Sequence, residues 1–188
     1  MKIDYILRTC DSKMQGHGGF VWPLGGPIEA PDWDPSPRCG GGLHGFLRGE
    51  GDGVLALWDD SAVWLVAAVD ADSVVDLGDK VKVPRAWVVY AGKRVEATNK
   101  IVELCPGARV VGGTAVAGDH GTAMAGFRGT AVAGDHGTAI AGKYGTAMAG
   151  RHGRIAVGSL FAVIDGVDYL PGVAYHAADD KLVKKEGK

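Results

Sequence analysis

An eight-residue unit repeats five times without interruption between Gly113 and His152: GTAVAGDH, GTAMAGFR, GTAVAGDH, GTAIAGKY, GTAMAGRH. Gly153 to Leu160 (GRIAVGSL) is a worn sixth copy. Self-similarity at a fixed period is the mark of a stacked-repeat architecture and outweighs local propensity. A helix is disfavoured, because glycine at this density costs about 1 kcal/mol each relative to alanine. Thr114 to Ala117 and its equivalents suit one short strand at ~3.3 Å per residue. The Gly-x-x-Gly that follows is turn chemistry.

The variable pairs set the coil length. One corner carries Asp119-His120, Asp135-His136 and Arg151-His152, and the other carries Phe127-Arg128, Lys143-Tyr144 and Ser159-Leu160. Alternate units resemble each other, so two units make a 16-residue coil and six units make three coils. Coils stacked at ~4.8 Å turn residues one coil apart into ladders. His120, His136 and His152 therefore form one column, beside Asp119, Asp135 and Arg151. Stacked rings in a line do not converge tetrahedrally on one ion, so no metal site is expected. Corner stacking, with Asp119 and Asp135 paired to neighbouring histidines, is the favoured reading. A column of histidines beside Arg151 that holds an anion is the minority one.

Two arrangements of the faces are open. Bulk alone puts Val116, Met124, Val132, Ile140 and Met148 inside, where burial contributes ~1.5–3 kcal/mol each. The alternative fills a narrow core with alanines and leaves the threonines and the Val/Met/Ile column outside. The repeats resemble the octapeptide arrays of bacterial ice-nucleation proteins, in which Thr-x-Thr is followed by Ala-Gly, and also the parallel β-rolls of trimeric autotransporter adhesin heads. The first resemblance favours the alanine core. Its second threonine is replaced here throughout by Val, Met or Ile, which points to protein contact rather than ice. The expected oligomer interface is then Thr114, Val116, Thr122, Met124, Thr130, Val132, Thr138, Ile140, Thr146 and Met148. A flat uncharged face of this kind usually touches something.

Before the repeats, Ile3 to Arg8, Ala62 to Val69 and Ala86 to Tyr90 read as strands, with shorter ones at Val74-Val75 and Val81 to Val83. Val54 to Trp58 is open between helix and strand. Val95 to Leu104 reads as one helix, ended by Pro106-Gly107. Asp11 to Gly53 reads as a long loop holding Pro23, Pro27, Pro31, Pro35 and Pro37, with Trp22 and Trp33 to bury. Within it, Cys39 to Gly45 (CGGGLHG) matches neither a P-loop nor a dinucleotide fingerprint. After the repeats, Ser159 to Ile164 continues as a strand, Asp165-Gly166 signals a hairpin, and Tyr169 to Pro171, Val173 to His176 and Leu182-Val183 read as further short strands. Turns fall at Pro171-Gly172 and Asp179-Asp180. The tail is expected to cap the last coil and the N-terminal domain the first, since an open solenoid end recruits other chains.

The expected fold is mainly β: an α+β N-terminal domain (1–107), a short parallel β-solenoid of about three 16-residue coils (108–160), and a C-terminal β-hairpin cap with its tail (161–188). The layout also resembles a phage and prophage family that joins a compact domain with a C-G-x-G-L-H-like segment to ice-nucleation-like repeats and a β tail. That resemblance implies a host protein or a nucleotide signal as partner. The Leu43-His44 segment faintly resembles the Gly-x-Gly-Ile/Leu-Tyr-Phe segment of ADP-ribosyltransferases, which would give Arg8, His44 and Glu96 catalytic roles on a nucleotide such as NAD.

At 46% hydrophobic and 22% charged residues, with net charge −2, the composition is that of an ordinary soluble domain. Nothing suggests a nucleic-acid or membrane surface, and no signal peptide is legible. Cys10, Cys39 and Cys105 are odd in number and widely spaced, which fits reduced thiols in a cytoplasmic setting. No cofactor is implied. The leading expectation is a non-enzymatic binding or structural protein that associates as a dimer or trimer through its solenoid. The alternatives are a nucleotide-acting enzyme and an ice-binding-like surface.

Overall fold

Apolar residues on both sides of a strand require cover on both sides, and Ile6, Leu7, Leu65 and Val66 are all fully buried. They lie on β1 (Ile3–Cys10) and β4 (Val63–Asp70), which pair antiparallel along their whole length, from Ile3 opposite Asp70 to Cys10 opposite Val63. These are the central strands of a seven-stranded sheet in the computed structural model, which describes residues 2–186. The other members are β2 (Gly26–Glu29), β3 (Leu43–Leu47), β5 (Val75–Asp76), β6 (Val81–Val83) and β7 (Arg85–Gly92), in the order β2-β7-β4-β1-β3-β6-β5. One helix, α1 (Arg94–Leu104), packs across β1, β4 and β7 and buries Ala97 and Ile101. Trp22 joins Ile6, Cys10 and Leu65 in a buried cluster of this unit, Met1–Pro106.

Two strands lie where a loop was expected. β2 contains Pro27, which is tolerated because β2 is an edge strand. β3 carries Leu43 and His44, so the Cys39 to Gly45 segment ends inside the sheet rather than in a loop. Its glycine content hid it: a Cβ at Gly45 would lie 3.0 Å from both the Ile6 Cβ and the Leu7 carbonyl oxygen. Gly53–Leu55 forms a single 3-10 turn.

The second unit, Gly107–Lys188, holds the repeats. Each copy contributes one strand: β8 (Thr114–Ala117), β9 (Thr122–Ala125), β10 (Thr130–Ala133), β11 (Thr138–Ala141), β12 (Thr146–Met148) and β13 (Arg154–Val157). Each pairs in parallel with the strand two copies on, so β8, β10 and β12 form one sheet and β9, β11 and β13 another. Register is 16 residues throughout, with Thr130 opposite Thr114 and Thr138 opposite Thr122. Alanines fill the space between the sheets: Ala131, Ala139, Ala147 and Ala149 are fully buried, whereas Val116 is 75% exposed. This overturns the argument from bulk. Two sheets that meet through methyl groups alone approach too closely to admit Val, Met or Ile.

Closeness also governs the corners. A Cβ at Gly142 would lie 2.6 Å from the Gly126 carbonyl carbon in the preceding coil. His120, His136 and His152 adopt positive φ of 58°, 56° and 56°, as do Arg128 and Tyr144. That conformation costs a non-glycine residue about 1–2 kcal/mol. The corner amides regain it in part by reaching the next coil, with His120 N–H donating to the Asp135 carbonyl at 2.8 Å and Arg128 N–H to the Lys143 carbonyl at 2.9 Å.

At the last coil both sheets are extended by antiparallel strands from the tail. β14 (Leu160–Val163) turns back on β13, while β15 (Tyr175–Ala178) pairs with β12 and with β16 (Lys181–Lys184). The Ser159-Leu160 pair is therefore not a third copy of the Phe127-Arg128 corner, because the chain reverses there through Gly158 at φ 61°. The tail hairpin falls at Asp179-Asp180, both at positive φ, and not at Asp165-Gly166. Asp165 instead accepts the backbone N–H groups of Val167, Asp168 and Tyr169, which folds that segment into a turn. Residues Tyr169 to Pro171 form no strand. As the alanine core meets the tail it widens to accept Ile155, Val157, Ile164, Tyr175 and Leu182. At the other end Val110 and Val111 are buried ahead of β8.

A larger side chain in this core has nowhere to go. Ala139→Leu is expected to destabilise the unit by about 1–3 kcal/mol, while Val116→Thr stays within ~0.5 kcal/mol. The measurement is chemical denaturation followed by far-ultraviolet circular dichroism, because all five tryptophans precede residue 107 and do not report on this unit.

Candidate functional site

The outward faces of the repeat sheets carry the threonines and the large aliphatic residues. On the first sheet Thr114, Thr130 and Thr146 form one row, and Val116, Val132 and Met148 the other. Exposure falls toward the tail: Thr114 and Val116 are exposed, Thr130 and Val132 half-buried, and Thr146 buried. Thr146 accepts a hydrogen bond from the Lys185 ammonium at 3.2 Å. It is therefore withdrawn from the expected interface, since the tail already covers it.

The second sheet stays open across more strands. Thr122 and Thr138 are followed by Arg154, so a charge ends this threonine row. The neighbouring row runs Met124, Ile140, Ala156 and Phe161, because β14 sets Phe161 opposite Ala156 and Val163 opposite Arg154. Met124, Phe161 and Val163 are 39%, 60% and 48% exposed. Phe161 and Val163 lie beyond the worn sixth repeat, outside the octapeptide pattern that marks the other members of this face. Alternation along LFAV was the available signal, but only the antiparallel register shows which face they join.

The histidine column exists as stacked rings. Centroids lie 5.0 Å apart between His120 and His136 and 5.1 Å between His136 and His152, with interplanar angles of 4° and 25°. The carboxylates beside them do something other than expected. Asp119 accepts the Asp135 N–H at 2.9 Å, and Asp135 accepts the Arg151 N–H at 2.7 Å. A side chain one coil below thus caps an amide one coil above, and the aspartates do not pair with histidine. Arg151 and the three histidines are exposed at the corner. At the opposite corner Phe127 and Tyr144 meet edge to face at 5.5 Å.

The residues suggested for catalysis are only partly assembled. Arg8 and His44 are brought together across β1 and β3, with an Arg8 Nη1–H donating to the His44 backbone carbonyl at 2.7 Å. Glu96 is exposed on α1 and does not line the cavity these two share. The acid of the proposed trio is therefore missing from the site, because α1 packs with Ala97 and Ile101 inward and turns Glu96 to solvent. Burial, with the nearby positive charges of Lys80, Arg8 and Lys82, holds the His44 imidazole below its usual value.

No family model matches the chain, and no solved structure matches it. The chain is 37% identical over 102 residues to an ice nucleation protein of Xanthomonas campestris pv. translucens, covering 53% of this chain and 6% of that protein. It is 41% identical over 100 residues to the ice nucleation protein InaU of Pantoea ananas, covering 52% and 10%. An ice nucleation protein of Pseudomonas syringae is 36% identical over 98 residues, covering 51% and 8%. The chain thus spans a tenth or less of the length of these relatives. These matches support repeats of the ice-nucleation type. They give no support to the phage-family or ADP-ribosyltransferase resemblance.

Two measurements follow. Asp135→Ala removes one link of the corner chain and leaves the Arg151 amide without its acceptor, at a cost of about 0.5–1.5 kcal/mol; Asp135→Asn keeps the acceptor and most of the stability, read by the same denaturation experiment. His44 binds its proton more weakly folded than unfolded, so the unfolded state gains protons first on acidification. Stability should fall as pH drops through the ordinary value of 6.5 and level off below the folded value. His44→Gln should flatten that part of the stability-against-pH curve.

Proposed function

We propose that residues 108–160 form a short parallel β-solenoid of the ice-nucleation type, set after an α+β domain, and that its outward threonine-bearing faces act as an ice-binding-like surface. The observation that carries this is the pairing of Thr114 with Thr130 and of Thr122 with Thr138 in register. It places hydroxyls at the ~4.8 Å repeat of parallel strands, on β-branched side chains with restricted freedom at χ1. Similarity to ice nucleation proteins over half the chain supports the same reading. Three coils offer a small face, so the expected activity is adsorption to existing ice rather than its nucleation.

A second reading uses the same surface for self-association. The row Met124, Ile140, Ala156 and Phe161 favours it, because an exposed aliphatic and aromatic strip on a rigid sheet gains by being covered. A closed dimer would be the simplest product.

The two readings separate cleanly. An ice-binding face predicts slower recrystallisation of ice than in an equal concentration of an inert globular protein, and loss of the effect in Thr122→Lys/Thr138→Lys. Ice growth indistinguishable from the control would remove the first reading. Self-association predicts a light-scattering mass that rises above the monomer at micromolar concentration and returns to it in Met124→Lys/Ile140→Lys. A strictly monomeric chain would remove the second.

A further inference from the structure

We propose that the cavity around Arg8 in the N-terminal sheet unit is a binding site for a small phosphate-bearing molecule of nucleotide size, with the Arg8 guanidinium as its anion-recognising group. Arg8 leaves β1 on the same side as Ile6 and Cys10 and lines a cavity of about 950 Å³. Cavities of roughly 300–1,000 Å³ hold ligands of that size.

The guanidinium has neutral partners only, the His44 carbonyl and the Cys10 side chain. Its Nη1 reaches the His44 carbonyl at 2.7 Å and its Cζ lies 4.9 Å from the Trp22 ring centre. Nε is buried with no hydrogen-bond partner. Among the described residues no carboxylate is within ion-pair distance of Arg8, although Arg38, Arg48, Arg85 and Lys100 each have one. The adjoining Cys10 thiol supplies no counter-charge, because burial holds it above its usual value and so in the protonated form. Burying a cation without an opposite charge is costly, and an anionic ligand would offset that cost.

The walls fit such a ligand. Gly16 packs so tightly on the guanidinium that a Cβ there would run into Nη2, which fixes the arginine from one side. Gly40, Gly41 and Gly42 bring bare backbone to the cavity. The buried Lys82 steadies that segment by donating to the Arg38 and Gly40 carbonyls at 2.8 and 2.9 Å. Lys80 adds a second positive charge to the lining, and Phe20, Leu55 and Leu57 provide an apolar side for a base. Two carboxylates also line the cavity. Asp11 is engaged by the Lys13 and Gln15 amides, and Asp32 is exposed. The two cations and two carboxylates of the lining balance in number, but neither carboxylate lies within ion-pair distance of Arg8, so its guanidinium remains the group open to an anion.

This site is independent of the reading of the repeats. The test is isothermal titration calorimetry of the full chain with ADP, inorganic phosphate and adenosine. ADP should bind saturably with Kd below about 1 mM, and Arg8→Lys should weaken it at least about tenfold, because an ammonium cannot reproduce the planar fork. Inorganic phosphate should bind more weakly than ADP, as expected if the apolar wall holds a base; phosphate binding as tightly as ADP overturns a ligand of nucleotide size. Adenosine binding as tightly as ADP, or no saturable heat from either phosphate compound, overturns the proposal. If Arg8→Lys does not fold, Gly16→Ala displaces the guanidinium without altering β1; it should weaken ADP at least threefold, and unchanged affinity overturns the proposal.

Discussion

Across the five regular repeats nothing larger than a methyl group separates the two sheets, and the rest of the second unit follows from that spacing. Alanine at both inward positions lets the sheets close on one another, so the dry interior is thin but continuous from Ala115 to Ala149. Close sheets require close corners, which is why glycine flanks every turn. Close corners bring each coil within hydrogen-bond reach of the next, so Asp119 and Asp135 can hold amides one coil on. The larger side chains are thereby displaced outward, and a surface rich in Thr, Val, Met and Ile is the by-product of a core too narrow to contain them.

A thin core has little apolar area to bury per residue, and its ends are its weakest points. The chain responds by enlarging the interior at the tail, where Ile155, Val157, Ile164, Tyr175 and Leu182 replace alanine. Val110 and Val111 do the same on a smaller scale before the first strand. Reversal of direction in β14 and β15 matters as much as bulk. An antiparallel partner occupies the hydrogen-bonding edge of the last parallel strand in each sheet, and an occupied edge does not recruit another chain.

Sequence periodicity was enough to anticipate the repeat strands and the 16-residue ladder, because both depend on spacing alone. It was not enough to decide which face is inside. Burial of Val, Met and Ile is favoured residue by residue, and only the collective approach of two sheets penalises it. The strands β1, β4 and β7 were legible from runs of β-branched and aromatic residues. β2 and β3 were hidden, since Pro27 and Gly45 are poor strand formers accepted for an edge position and a tight contact. The column of histidines was visible in the variable pairs, but the partners of Asp119 and Asp135 were not, because a backbone amide leaves no trace in side-chain chemistry. Arg8 and His44 were singled out by analogy, and their neighbourhood arises from β1–β3 pairing across 36 residues. Glu96 failed for a local reason: the inward face of α1 belongs to Ala97 and Ile101.

The alternation of corners has an evolutionary corollary. Insertion of a single octapeptide would move every later strand to the opposite sheet, so β12 and β13 would exchange places beneath β14 and β15. The wide interior made by Tyr175 and Leu182 would then meet the wrong partner, and the rings and carboxylates of the two corners would fall out of line. Gain or loss of two octapeptides together leaves all of these matches intact. Lineages of this chain should therefore differ in length by whole turns of the winding and not by half turns.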